Sequence, residues 1–166
     1  VNVVTLAGHA TIRQQVMGTD YKRRARPAEN ARMRALMDEA MAAGAFGLSS
    51  GLEYEVGSYS DIEEVVEMAR AAGAKGGFYI SHIRDEADLT MDAVKEAIAI
   101  GERAKIPVQI THIKLGTVGV WGKASEAIRL LEDARRRGLK ITADAYPYDA
   151  WASTITVLVP DKQYEN

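Results

Sequence analysis

Apolar residues follow two rhythms along this chain, short unbroken runs and stripes spaced three and four apart, and the two alternate. Val3-Val4-Thr5-Leu6-Ala7 is a run of strand length ending in Gly8-His9. After a basic, polar stretch from Arg23 to Pro27, residues Met33, Leu36, Met37, Ala40 and Met41 form one apolar helical stripe, closed by Gly44. These methionines read as core packing. Phe46 to Ser50 is the next strand, and a long loop follows through Leu52-Glu53-Tyr54 and Gly57. Ser60 and Glu63 have the spacing of a capping box, opening a helix that carries Ile62, Val65, Val66 and Ala69 and stops at Gly73. Phe78 to His82 is a third strand. Thr90 is placed as the cap of another helix, with Leu89 and Val94 as its hydrophobic staple, and that helix ends before Pro107. Val108 to His112 is the fourth strand. A loop from Gly116 to Gly122 leads to a helix with Ile128, Leu131 and Ala134 inward, ended by Gly138, and Ile141 to Tyr146 is the fifth strand. Beyond Pro147 the chain is loop-like, with a short strand expected at Ile155 to Val159.

Strands separated by helices of this length imply parallel pairing through right-handed crossovers. The strands read as apolar on both faces, as buried parallel strands are. The result is an α/β protein, either a doubly wound sheet or part of a (β/α)8 barrel. A complete barrel takes about 250 residues, so a chain of 166 residues would hold about five of its eight strands. No glycine-rich phosphate fingerprint follows any strand; Gly8-His9-Ala10 is not one. No linker divides the chain, so residues 1–166 are expected to form one domain. The chain opens at Val1 and runs directly into a strand, which suggests a piece of a longer protein.

Composition narrows the partners. Hydrophobic residues make up 47% and charged residues 27%, an ordinary globular balance. With 21 basic and 23 acidic side chains the net charge is −2, which gives no electrostatic reason to expect nucleic acid or an anionic membrane. No apolar run approaches the roughly 20 residues that span a bilayer, and no leader is visible. Cysteine is absent, which excludes disulfides and thiolate ligands within this chain and fits a cytoplasmic setting.

Chemistry concentrates at the histidines. The chain has three, His9, His82 and His112, each at the C-terminal end of an expected strand. That edge is where parallel α/β folds build their sites. A lone strand-end histidine is ordinarily a hydrogen-bonded core residue. His82 and His112, 30 positions apart, are candidate metal ligands because adjacent parallel strands are about 4.8 Å apart and two imidazoles can converge on one ion. Their frames match: Ile80-Ser81-His82-Ile83-Arg84 and Ile110-Thr111-His112-Ile113-Lys114. If the extended backbone continues, histidine and cation share a side, which suits an anionic substrate. The plainer alternative is a salt bridge to Asp85, Glu86 or Asp88, and for Arg84 that alternative is preferred.

The motifs together resemble the N-acyl-D-amino-acid deacylases (D-aminoacylases) of the amidohydrolase superfamily. The matching segments are Gly8-His9-Ala10-Thr11-Ile12-Arg13 with Val16-Met17-Gly18, Gly47 to Tyr54, Gly77 to Arg84, Val108 to Lys114, and Asp144-Ala145-Tyr146-Pro147-Tyr148, in order along almost the whole chain. The resemblance implies a metal-dependent hydrolase with a partial TIM barrel, covering barrel strands three to seven. It also implies zinc held by His82 and His112, and cleavage of the amide bond of an N-acyl-D-amino acid. Tyr54 and Lys114 match positions at the substrate's α-carboxylate. Tyr148 and Ser153 fall in the loop after strand seven, which helps to bind the acyl-amino acid. For His9 a structural hydrogen bond is expected rather than ligation.

The departures from the family pattern bear on activity. The family's first barrel strand supplies a His-x-His pair and its second a cysteine ligand, and neither is present. The catalytic aspartate of the last strand is expected beyond the C-terminus; Asp144, on the strand-seven segment, is not its counterpart. The strand at Phe46 to Ser50 carries no lysine, which argues against relatives that bridge two metals with a carbamylated lysine, such as the hydantoinases. The segment alone is expected to be inactive. Two alternatives remain: a C–N hydrolase of the same superfamily acting on cyclic amides, and a non-catalytic barrel fragment that associates through its exposed edges.

Overall fold

Leu48, Tyr79, Val108 and Ile141 lie side by side in one register across four parallel strands, and all are buried. Withdrawing each such side chain from water contributes on the order of 1.5–3 kcal/mol, so this row defines which face of the sheet the helices cover. The computed structural model describes residues 1–158. Its strands are β1 (Ala7–Gly8), β2 (Gly47–Gly51), β3 (Phe78–His82), β4 (Val108–Ile110) and β5 (Ile141–Ala143), in the spatial order β1-β2-β3-β4-β5. Consecutive strands are neighbours throughout, and all pair in parallel. A doubly wound sheet would reverse its order part-way. This sequential winding is that of a barrel wall, here five strands of it.

The helices are α1 (His9–Met17), α2 (Pro27–Ala42), α3 (Glu55–Ser58), α4 (Ile62–Ala74), α5 (Thr90–Ala104) and α6 (Ala124–Arg136). Met33 and Met37 of α2 are fully buried against α4, as core methionines should be. Gly47 is required where β2 and β3 meet, because a Cβ there would stand 2.0 Å from the Phe78 carbonyl oxygen.

Several local expectations are corrected. The opening run is strand at Ala7 and Gly8, with one more bond from the Phe46 amide to the Thr5 carbonyl at 2.9 Å, and Val3 is 77% exposed. Helix α1 has no counterpart in the sequence reading. The N-cap of α4 is Asp61, whose side chain accepts from the Glu64 amide, while Ser60 donates to the Gly57 carbonyl, so the Ser60–Glu63 capping box does not form. Leu89 is 61% exposed and makes no staple with the buried Val94. On α6 the inward residues are Ala127, Leu131 and Ala134, with Ile128 outside. Residues Ile155–Leu158 form a 3-10 turn instead of a strand, and Val159 lies outside the described residues. The strands are also not apolar on both faces. The row Ser49, Ile80, Gln109 and Thr142 points away from the helices, and Thr142 donates to Gln109 there.

Candidate metal centre

The strands deliver the histidines to one edge by different routes. His82 is the last residue of β3, paired with Gly51 of β2, and its side chain is buried. His112 lies two residues past β4, in a left-handed backbone conformation with φ 40°. Such a value is uncommon for a residue other than glycine and needs external support. Asp144 supplies it: its Oδ1 accepts from the His112 amide at 2.6 Å and its Oδ2 from Gln109 Nε2 at 2.6 Å. The next amide, Ile113, donates to the Asp144 carbonyl at 2.8 Å. The extended backbone assumed for His112 and Lys114 is therefore broken at His112.

The turn brings the two rings together. His82 Nδ1 stands 3.1 Å from His112 Nε2, with ring centroids 4.8 Å apart in an edge-on arrangement. Two nitrogens at about 2.0–2.1 Å from one tetrahedral ion would lie about 3.3 Å apart, so the facing pair fits a shared cation. Carboxylates flank both rings. Glu53 Oε2 is 2.7 Å from His82 Nε2, and Glu86 Oε1 is 3.0 Å from His112 Nδ1. His82, Glu86 and His112 form a group whose potential ligand atoms lie within 4.8 Å of one another. The donor set, two imidazoles with a carboxylate in reach, suits a borderline cation of the zinc type.

Around this pair lies a recess of about 230 Å³ lined by Tyr54, Lys114, Tyr146, Tyr148, Trp151 and Ser153 among others. Tyr54 packs on the His82 ring, centroids 4.5 Å apart, with its hydroxyl 3.4 Å from Nδ1. Lys114 Nζ lies 2.5 Å from Glu86 Oε2 and 2.7 Å from His112 Nδ1, and 5.5 Å from the Tyr146 ring centroid. Burial and the Glu86 carboxylate hold the Tyr146 phenol above its ordinary value. Tyr148 is 75% exposed, 6.2 Å from the Tyr146 ring, and Ser153 is an exposed residue of the rim. Arg84 turns away to Glu96, which it meets at 2.8 Å, so its ion pair forms with a partner other than Asp85, Glu86 or Asp88. A larger recess of about 630 Å³ lies at the opposite, N-terminal ends of β4 and β5, beside Ile106 and Leu139; no histidine lines it.

His9 is not at this centre. It is the first residue of α1, fully buried, with Nε2 2.7 Å from Glu64 Oε1. Arg13 binds the other Glu64 oxygen and the carbonyls of Tyr21 and Arg23. Burial pushes the Glu64 carboxyl up, but the hydrogen bonds and charges of His9 and Arg13 outweigh it and hold it below the ordinary value.

Sequence reasoning missed Glu53 as a partner of His82 and named Glu86 only as an alternative ion-pair acceptor. The position of Glu86, four residues after His82, was a usable signal. Glu53 gave none, because its contact depends on how the loop after β2 folds back.

A strand-wound barrel wall with two histidines converging at its C-terminal edge is the architecture of metal-dependent barrel hydrolases. Comparison with known proteins agrees. The chain is 38% identical over 155 residues to a D-aminoacylase of Alcaligenes xylosoxydans xylosoxydans, a match covering 93% of this chain and 32% of that protein. It is 33% identical over 162 residues to an N-acyl-D-glutamate deacylase of the same organism, covering 98% of this chain and 32% of the relative. Among solved structures, the N-acyl-D-glutamate deacylase of Bordetella bronchiseptica, complexed with zinc and a phosphonate inhibitor, superposes with a TM-score of 0.85 at 34% identity, covering 89% of this chain and 31% of that one. No protein-family model matches the chain. The chain thus resembles the N-acyl-D-amino-acid deacylases of the amidohydrolase class along nearly its whole length, and it spans about a third of the length of the curated relatives it matches.

Proposed function

We propose that residues 1–166 are one contiguous part of the catalytic barrel of an N-acyl-D-amino-acid deacylase, and that His82 and His112 are two of its zinc ligands. The observation that carries this reading is the 3.1 Å approach of His82 Nδ1 to His112 Nε2 at the C-terminal strand edge. In the completed protein, zinc supplies Lewis-acid polarisation of the scissile amide carbonyl. Lys114 and Tyr54 hold the substrate's α-carboxylate beside it, which fixes register and stereochemistry. Tyr148 and Ser153 contribute to the wall that receives the acyl-amino acid. The general acid/base aspartate comes from sequence outside this segment, so the segment alone turns over little substrate. Because Lys114 is paired with Glu86 here, an incoming carboxylate has to share or take over that cation. Among the described residues no helix is long and apolar enough to cross a membrane.

The test is zinc-dependent release of D-amino acids from N-acetyl-D-amino acids by the full-length protein that carries this segment. Loss of turnover is expected in His112→Ala. Unimpaired turnover in that variant would sink the metal assignment, and turnover confined to cyclic amides would move the protein to another branch of the superfamily. The 166-residue chain by itself is expected to associate through its unpaired strand edges, which sedimentation would detect.

A further inference from the structure

Each histidine of the pair has one nitrogen facing the other ring and one facing a carboxylate. His82 presents Nδ1 to His112 and Nε2 to Glu53 Oε2 at 2.7 Å. His112 presents Nε2 to His82 and Nδ1 toward Glu86 Oε1 at 3.0 Å. Glu53 is itself braced, since its Oε1 accepts the Glu86 amide at 3.3 Å. Glu86 is buried, its carbonyl accepts the Gly116 amide at 2.7 Å, and its Oε2 is held by Lys114. Its Oε1 is buried and accepts no hydrogen bond from any described residue, although His112 Nδ1 lies 3.0 Å from it.

Proton bookkeeping sets the tautomers of the metal-free chain. Lys114 can only donate, so its contact to His112 Nδ1 at 2.7 Å makes that nitrogen an acceptor. The His112 proton then sits on Nε2 and is given to His82 Nδ1, and the His82 proton sits on Nε2 and is given to Glu53. His82 is already the tautomer a ligand needs, with its Nδ1 lone pair turned toward the ion's place. His112 is not. To release its Nε2 lone pair it must carry its proton on Nδ1, and among the described residues the acceptor beside Nδ1 is the unsatisfied Glu86 oxygen, 3.0 Å away.

We propose that Glu53 and Glu86 are positioning residues for the metal centre. Glu53 fixes His82 as an Nδ1 ligand before any ion arrives. Glu86 accepts the hydrogen bond of the His112 Nδ1–H when the ion takes Nε2, as Lys114 turns away from His112. Removing such outer partners typically weakens metal affinity about 10- to 100-fold. The inference rests on the reading of His82 and His112 as ligands, and the experiment separates the two.

Zinc affinity is measured by competition titration on the 166-residue chain carrying Glu53→Gln, Glu53→Ala, Glu86→Gln, His82→Ala or His112→Ala, alongside imidazole nitrogen NMR of the metal-free and zinc-loaded chains. The expected result is near-complete loss of binding in the histidine variants and a weakening of about 10- to 100-fold in the glutamate variants. In the metal-free chain His82 should be protonated at Nε2 alone, and Glu53→Ala should give a mixture of tautomers. His112 should change from protonation at Nε2 to protonation at Nδ1 on loading. Glutamate variants that bind as tightly as the parent, while the histidine variants do not, would overturn this inference and leave the ligand assignment standing. Histidine variants with unchanged affinity would overturn both. The metal-free spectra decide the Glu53 role even if the isolated chain binds weakly, since a His82 tautomer indifferent to Glu53→Ala contradicts it.

Discussion

His82 Nδ1 and His112 Nε2 face each other across 3.1 Å although the residues are 30 positions apart in the chain. A cation bound by both nitrogens replaces the single hydrogen bond between the rings with two ligand bonds. Zinc should therefore bind the folded chain in preference to the unfolded one and raise its thermal midpoint. An ion at a hundred times its dissociation constant contributes about 2.7 kcal/mol. The expected outcome is a zinc-dependent rise in midpoint by calorimetry, reversed by a chelator and absent in His82→Ala. A rise of equal size in that variant would place the ion elsewhere.

The buried trio of His9, Arg13 and Glu64 ties α1 to α4 and should be a stability determinant without being a metal site. Glu64→Ala leaves the Arg13 guanidinium buried without its carboxylate, and breaking a buried pair this way costs about 3–5 kcal/mol. Urea unfolding measures it. The pH dependence has a definite sign. The folded Glu64 pKa lies below its ordinary 4.5, so its contribution is complete above that value and is lost as pH falls through the lowered folded one. Glu64→Gln should flatten the acid side of the stability profile, while leaving zinc affinity near that of the parent.

How far the sequence disclosed all this depended on what kind of side chain faced inward. Helices α4 and α5 were legible because Val65, Val66, Val94 and Ile98 keep a helical period of buried apolar residues. Helix α1 was not, because His9 and Arg13 stand on its buried face beside Ile12, so the hydrophobic period that would reveal it is interrupted by charge. The paired strands could be found from apolar runs, but the polar row through Ser49, Gln109 and Thr142 could not be assigned to a face without the register. At the candidate metal centre, strand-end position was enough to bring His82 and His112 together. The turn at His112 was hidden, since nothing local announces a left-handed residue whose support comes from Asp144, a full strand away. Glu53 was hidden because its contact depends on how the loop after β2 folds back, whereas Glu86, four residues after His82, carried a local signal.

Gly116 is a further point where the loop after β4 governs the site. A Cβ there would stand 2.5 Å from the Glu86 carbonyl oxygen, the acceptor of the Gly116 amide. Backbone cannot rotate aside as a side chain can, so Gly116→Ala should cost about 1–3 kcal/mol and push Glu86 away from His112. Weaker zinc binding should accompany the loss. Gly122 is the control: it has φ +81° and open space around it, so Gly122→Ala strains its own turn without touching Glu86. Equal zinc affinities in the two variants would disconnect the loop from the metal centre.

Lys114 holds two roles that a single substitution would confuse. It neutralises Glu86 at 2.5 Å, with both side chains mostly buried, and it is proposed above to receive a substrate carboxylate. Lys114→Met in the full-length protein should therefore destabilise the fold, because the Glu86 carboxylate is left without its cation. It should also raise KM for N-acyl-D-amino acids. Adding Glu86→Gln removes the stranded charge, and since the two residues touch, their effects should not add. The double variant is expected to regain much of the lost stability while KM stays high. If KM returned to the parent value with stability, Lys114 would be a partner of Glu86 alone, and the substrate carboxylate would have to be bound by another group.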